Sequence, residues 1–255
     1  MAGVADELSL LKAEGAWHFS QEGQRVCLMG ANPAGQVMWR MTGDFPFDAL
    51  RFEWHPTAFD EMYRRYLYGR FNIAAMLAVV LRLLPVGGLI LHGSAQVVNG
   101  AGIICTGPSG KGKSTLSKLF ARGGVSVLTD EHPIVRPCVQ AKDGGAFDVY
   151  GSPWPSSGGF ALNQSAPLKK IYFLEHGSQN ALEPLSTRDA VLRLLDVSLV
   201  PWMDAAFFDP LLKTLEALIG RVPHAVFRFR PDETAVDFIR RDVCAANAQG
   251  GVLGA

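Results

Sequence analysis

The run Gly107–Ser114, GPSGKGKS, has the residue types and spacing of a loop that cradles phosphate. Gly107, Gly110 and Gly112 would let the backbone double back so that successive N–H groups converge on phosphate oxygens. Lys113 would set a cation beside the β- and γ-phosphates, and the Ser114 hydroxyl would enter a magnesium shell. A helix from Thr115 onward would turn its positive N-terminal end toward the same anion. Pro108, Ser109, Lys111 and Thr115 complete the expected nucleotide-contacting set. The apolar GIICT before the loop and the amphipathic STLSKLFARGG after it supply the strand and the helix that the motif requires.

Phosphoryl transfer also needs a carboxylate to hold or orient magnesium and a group to take the nucleophile's proton. Asp130 and Glu131, closing the apolar run VSVLTDEH, offer both. Such a pair can equally be a solvated strand end or a helix cap. Their strand is expected to lie beside the strand that leads into the loop. His92 belongs to GLILHGSAQVV, and the Asn99-Gly100 pair that follows is a strong hairpin signal. A hairpin there would bring the chain back to Gly107 and leave His92 near the mouth of the loop. Otherwise, a lone histidine in an apolar strand is a satisfied core residue.

The elements that must position these groups read as an α/β core, with strands alternating with helices from residue 86 onward. The helix after the loop should close on Gly123-Gly124. FDVYG, LKKIYFLEHG and HAVFRFRP read as further strands. Residues 187–220 read as helical, divided by Pro201 and Pro210. Asp232 is a plausible N-cap for DETAVDFIRRDV. Upstream, residues 16–41 suggest two or three short strands, residues 59–71 have helical spacing, and Ile73–Leu84 reads as a buried helix. Pro85 limits that helix to about a dozen residues, short of the ~20 that a bilayer needs. The expected organisation is an α+β region over residues 1–85, an ATP-binding domain over 86–245 and a flexible tail over 246–255.

Other residues stay open between two roles. GSPWPSSGGF, with Trp154, can be a lid or acceptor-binding loop, or a surface loop with one packed tryptophan. Arg228 and Arg230 share a strand face and can contact phosphate or simply meet solvent. His132, His176 and His224 have no sequence partners that suggest a metal site.

Composition narrows the classes. The chain has 255 residues, 48% of them apolar, enough for a sizeable core. Lys+Arg and Asp+Glu both number 24, so no general attraction for nucleic acid or an anionic membrane is expected. Cys27, Cys105, Cys138 and Cys244 are far apart and suggest neither a zinc site nor a disulfide framework. The opening MAGVADELSLLKAEG lacks the order of a signal peptide, so a cytoplasmic protein is expected.

At these residues the sequence resembles the catalytic domain of HPr kinase/phosphorylase, a protein-serine kinase related to ATP-dependent phosphoenolpyruvate carboxykinase. The resemblance runs from ILHGSAQVVNGAGIICTGPSGKGKSTL through VLTDEHPIVR. It implies a P-loop nucleotide-binding α/β core of that type, using ATP and Mg²⁺. It implies that Asp130 and His92 assist proton transfer, that Lys113 holds the phosphates, and that Ser114 and Glu131 sit around the metal. The chain departs from the bifunctional enzyme in having Asp-Glu for its acidic pair, and YGSPWP where that enzyme carries a metal-binding glutamate. It is thus closer to the looser relatives, some of which modify peptides. The first 85 residues do not resemble that enzyme's sensory domain.

The expected activity is transfer of the γ-phosphoryl of ATP to a serine or threonine hydroxyl of a protein or peptide, with a homo-oligomer possible. The alternative is an ATP-binding accessory or switch protein acting through a partner. Carboxykinase chemistry would need a far longer chain.

Overall fold

The structure, a computed structural model, describes residues 17–31, 36–44, 48–55, 75–138, 146–156, 158–199 and 205–250. The chain forms two compact units, Met1–Arg82 and Leu83–Ala255.

In the first unit, β1 (Trp17–Glu22), β2 (Arg25–Ala31), β3 (Val37–Asp44) and β4 (Leu50–Trp54) form an antiparallel meander in chain order. The first three are the strands expected over residues 16–41, and β4 lies beyond that stretch. Its LRFEW alternation, with Arg51 and Glu53 exposed between half-buried neighbours, is a clean period of two. Val26, Leu28, Met29, Met38, Trp39 and Met41 are buried. Residues 75–83 are helical, with Val80 and Leu81 fully buried, as the apolar run predicts. The helix expected over 59–71 lies outside the described residues. Among the described residues no helix is long and apolar enough to cross a membrane.

The second unit is a mixed α/β assembly around one nine-stranded sheet. Its first strands are β5 (Leu89–Ile90), β6 (Gly93–Val98) and β7 (Ala101–Thr106), followed by helix α1 (Lys113–Arg122). Then come β8 (Ser126–Thr129), β9 (Ile134–Pro137), β10 (Phe147–Tyr150), the long β11 (Ser165–His176) and β12 (Ala181–Glu183). Helices α2 (Thr187–Asp196) and α3 (Ala205–Arg221), strand β13 (His224–Phe229) and helix α4 (Glu233–Gly250) complete it. The strands run β5-β9-β10-β11-β7-β6-β8, and β13 adds to the C-terminal half of β11 with β12 outside it.

Alternation along the central strands buries both faces of this sheet. Ile103, Cys105, Tyr172, Leu174, Phe227 and Phe229 pack with Leu116 and Phe120 of α1 and with Val236 and Ile239 of α4. Their neighbours Ile104, Ile171, Phe173 and Val226 point the other way and are equally buried. Strands buried on both faces read as continuous apolar runs, which is how GIICT and IYFL read.

Three expectations are corrected here. The strand carrying the acidic pair, β8, does not pair with the loop strand β7, because β6 folds back between them. Pro210 does not divide the helical segment. It is the sixth residue of α3, where it removes one intrahelical bond that the rest of the helix outweighs, and its carbonyl accepts from Thr214 Oγ1 at 2.9 Å. Pro201 lies outside the described residues. Helix α4 continues to Gly250, so residues 246–250 are helix where a tail was expected. Its start is as predicted, with Asp232 Oδ1 accepting the Thr234 N–H at 3.0 Å.

A buried polar group under α1 gives a first prediction. Gln96 is fully buried and donates through Nε2 to Ser94 Oγ at 2.9 Å, while its Oε1 has no partner among the described residues. Gln96→Met, which keeps the volume and removes the orphaned oxygen, should change stability by less than about 1 kcal/mol or raise it. Gln96→Ala should cost about 2–4 kcal/mol through the cavity it leaves. Thermal melting of the two variants checks the order.

Candidate active site

The Asn99-Gly100 turn forms as its sequence dictates, with φ of 51° and 77°, the left-handed pair of a two-residue hairpin loop. It sets β6 against β7 so that Gly93 pairs with Thr106. Strands β11 and β13 run parallel to β7, and β8 is antiparallel to β6, so it too shares the direction of β7. The carboxyl ends of β7, β8, β11 and β13 therefore meet the amino end of β6 along one edge. That edge is where open α/β sheets bind ligands.

His92 lies where the apolar run breaks between β5 and β6, which pair with different strands. Its N–H donates to the Val197 carbonyl at 2.6 Å, and its own carbonyl accepts from Thr106 Oγ1 at 2.7 Å. The next residue, Gly93, donates its N–H to the Glu131 carbonyl at 2.9 Å. The main chain thus ties His92 both to the last residue before the 107–114 loop and to the acidic pair.

In the loop, Gly112 has φ 89° and caps α1, its carbonyl accepting the Leu116 N–H at 2.9 Å. Gly107 is buried and Pro108 exposed, and their carbonyls receive Lys113 Nζ at 2.6 and 3.0 Å. Burial lowers the Lys113 ammonium from its ordinary value, and the Glu131 carboxylate opposes that shift. His176, at the end of β11, reaches the Gly110 carbonyl with Nε2 at 2.9 Å and stacks on Phe229.

A cleft of about 490 Å³ opens along this edge. The loop and the start of α1 line it with Ser109, Gly110, Gly112, Lys113, Ser114 and Thr115. The strand ends add His92, Asp130 and Glu131, and a separate loop adds Ser156. Gly107, Pro108 and Lys111, also expected to contact nucleotide, are not among the lining residues. Arg228 and Arg230 do not line the cleft: Arg228 pairs with Glu175 and Glu183 at 3.4 and 2.9 Å, and Arg230 pairs with Asp232.

Asp130 is 2% exposed, and its carboxylate is gripped by the loop that follows β10. Oδ1 accepts the Ser156 N–H at 3.0 Å, while Oδ2 accepts the Ser156 hydroxyl at 2.7 Å and the Gly158 N–H at 2.8 Å. The same loop is laced to β8 by the Leu162 N–H on the Leu128 carbonyl at 2.8 Å and by a bridge between Thr129 and Ala161. Trp154 is 9% exposed, so it is a packed residue and not the tip of a lid.

His132 corrects a further expectation, that it has no partners for a metal site. Its ring lies 6.2 Å from that of His92, and His92, His132 and Glu131 each offer a ligand atom within 4.8 Å of the others. Two imidazoles and a carboxylate suit a borderline ion such as zinc, whereas Ser114 and Glu131 offer the oxygens that magnesium prefers. Burial, then Lys113 and His132, lower His92 to about 4. His132 is lowered chiefly by burial, against the pull of Glu131, the Trp154 carbonyl and Asp130.

His92 is therefore neutral at pH 7. Its folded value lies below the unfolded 6.5, so protonation favours the unfolded chain. The stability linked to it is complete above pH 6.5 and erodes as pH falls toward 4. In metal-free buffer the His92 ring proton resonances should stay constant from pH 8 to about 5. An NMR titration with a midpoint near 6.5 would contradict the burial argument.

Residue spacing placed the loop, the acids and His92, but it missed Ser156, His132 and His176. The only sequence mark on Ser156 is its place in a turn-rich stretch.

No family model and no curated protein matches this sequence. Among solved structures, the Hpr(Ser) kinase/phosphatase from Coxiella burnetii aligns with 64% of this chain and 98% of its own, at a TM-score of 0.36 and 12% identity. That is a weak similarity, which by itself fixes neither family nor activity.

Proposed function

We propose that the second unit binds a magnesium nucleoside triphosphate, ATP by preference, and transfers its γ-phosphoryl group to a hydroxyl of the serine or threonine type on a protein or peptide. The observation that carries this reading is the convergence of the 107–114 loop, its buried Lys113 and the Asp130 carboxylate on one cleft. The sequence resemblance to HPr kinase/phosphorylase supports it at the same residues.

In this reading the main-chain N–H groups of the loop and the N-terminal end of α1 receive the phosphates. Lys113 exchanges its bonds to the Gly107 and Pro108 carbonyls for phosphate oxygens. Ser114 and Glu131 would hold magnesium, which supplies charge neutralisation at the β- and γ-phosphates when bound. Asp130 takes the proton of the acceptor hydroxyl, and His92, being neutral, can share that proton or steer the hydroxyl. Because Asp130 is already engaged by its own chain, an external acceptor must displace the Ser156 hydroxyl to reach it.

The test is calorimetric titration of Mg·ATP into the wild type and into Lys113→Ala. Affinity should fall at least tenfold in the variant, about 1.4 kcal/mol. Equal affinity would remove Lys113 from the phosphate site, and no binding to the wild type would defeat the reading.

The engagement of Asp130 by Ser156 and Gly158 also favours a second reading, in which ATP occupancy switches contact with a partner and no phosphate moves. Phosphate transfer from ATP to any hydroxyl would eliminate it.

A further inference from the structure

The loop that closes on Asp130 does more than satisfy a buried carboxylate. Two main-chain N–H groups, of Ser156 and Gly158, already hold one oxygen each at 3.0 and 2.8 Å. The Ser156 hydroxyl is a third donor, at 2.7 Å, and it lies in the cleft where Lys113 and Ser114 face the same space. A hydroxyl donating to a carboxylate at this distance is the arrangement of a nucleophile with its general base. The other hydroxyls lining the cleft, those of Ser109, Ser114 and Thr115, belong to the loop and the start of α1. Among the described residues none of them is bonded to a carboxylate. Gly158 is required for the fit, because a methyl group there would fall 2.2 Å from Asp130 Oδ2.

We propose that Ser156 is an internal phosphate acceptor: the protein phosphorylates its own Ser156 within one chain. The proposal rests on the nucleotide-site reading above and adds to it the identity of a substrate hydroxyl. In the step, Asp130 Oδ2 takes the hydroxyl proton and Ser156 Oγ forms a bond to the γ-phosphorus of the bound nucleoside triphosphate. The bond from that phosphorus to the β–γ bridging oxygen breaks, and the products are phosphoserine and a nucleoside diphosphate. A phosphate on Ser156 carries nearly two negative charges beside Asp130 and Glu131. Repulsion then releases the loop from Asp130 and opens the carboxylate to an outside acceptor.

The experiment uses the full chain, first treated with a phosphatase and freed of it, incubated with γ-labelled Mg·ATP and no other protein. The label is mapped by peptide mass spectrometry, and Mg·ATP binding is measured in parallel by calorimetry. The expected result is one phosphate on Ser156, with a rate constant unchanged over a tenfold range of protein concentration. The label is lost in Ser156→Ala and returns as phosphothreonine in Ser156→Thr. Both variants keep Asp130 and the main-chain donors, so nucleotide binding should persist in them. Binding without label, or label that survives Ser156→Ala, overturns the internal acceptor and leaves the nucleotide site standing. A rate constant that rises with protein concentration overturns transfer within one chain. Failure of the wild type to bind Mg·ATP overturns this proposal together with the reading on which it rests.

Discussion

Asp130→Asn should lower phosphoryl transfer by about 10²–10⁴-fold while leaving Mg·ATP affinity within about threefold. Among the described residues Asp130 accepts from three donors: the Ser156 N–H, the Ser156 hydroxyl and the Gly158 N–H. An asparagine offers one acceptor oxygen and must turn its NH₂ toward at least one of those donors. It also has no capacity to take a proton from a serine or threonine hydroxyl. Two consequences separate cleanly. The donor conflict should cost about 1–3 kcal/mol of stability, seen as a fall of several degrees in the melting temperature. The lost proton acceptor should cost catalysis well beyond that, in protein that is still folded and still binds nucleotide. The nucleotide should be spared because Asp130 sits at the end of β8, whereas Lys113 and the main-chain groups that meet phosphate belong to the loop and α1. Transfer at the wild-type rate in a folded Asp130→Asn protein would remove Asp130 from the role of base.

The loop, the hairpin and the acidic pair were legible because each depends on local backbone preference. Asn and Gly are the residues that most readily adopt left-handed conformations, and a two-residue turn of that hand fixes the register that puts His92 beside Thr106. The same holds for the glycines of the 107–114 run and for the Asp232 cap. What escaped depends on partners distant in sequence. That β6 separates β7 from β8 follows from which strands pair, and all three are similarly apolar runs. Ser156 meets Asp130 across 26 residues through a loop without regular pattern. His132 gains significance only from His92, which an intervening hairpin and helix bring near it. Pro210 misled because a proline is read as a breaker, yet α3 runs through it at the loss of one intrahelical bond. The fourth strand of the first unit went unread, although its LRFEW alternates without a fault.

Gly112→Ala should be among the most damaging single-methyl changes in the second unit, and it separates two causes. Gly112 has φ 89°, and a methyl group there would lie 2.6 Å from Phe229 Cζ. The conformation alone costs a non-glycine residue about 1–2 kcal/mol. Phe229 is fully buried in the core shared by β13, α1 and α4, so it yields only by disturbing that packing, at about 1–3 kcal/mol more. The total of about 2–5 kcal/mol corresponds to a fall of about 5–15 °C in the melting temperature of a domain this size. Gly100→Ala is the control, because Gly100 has a similar φ of 77° with nothing within 4 Å of an added methyl. It should lose only the conformational part, about 1–2 kcal/mol, and bind Mg·ATP as the wild type does. In Gly112→Ala the loop can relieve its clash only by shifting the residue that caps α1, and so the main-chain N–H groups around it. Nucleotide affinity should therefore drop along with stability. If the two variants melt alike, Phe229 gives way freely and does not fix the turn. If Gly112→Ala melts low but binds normally, the turn matters to folding alone, and the phosphate-binding part of the loop lies earlier, between Gly107 and Lys111.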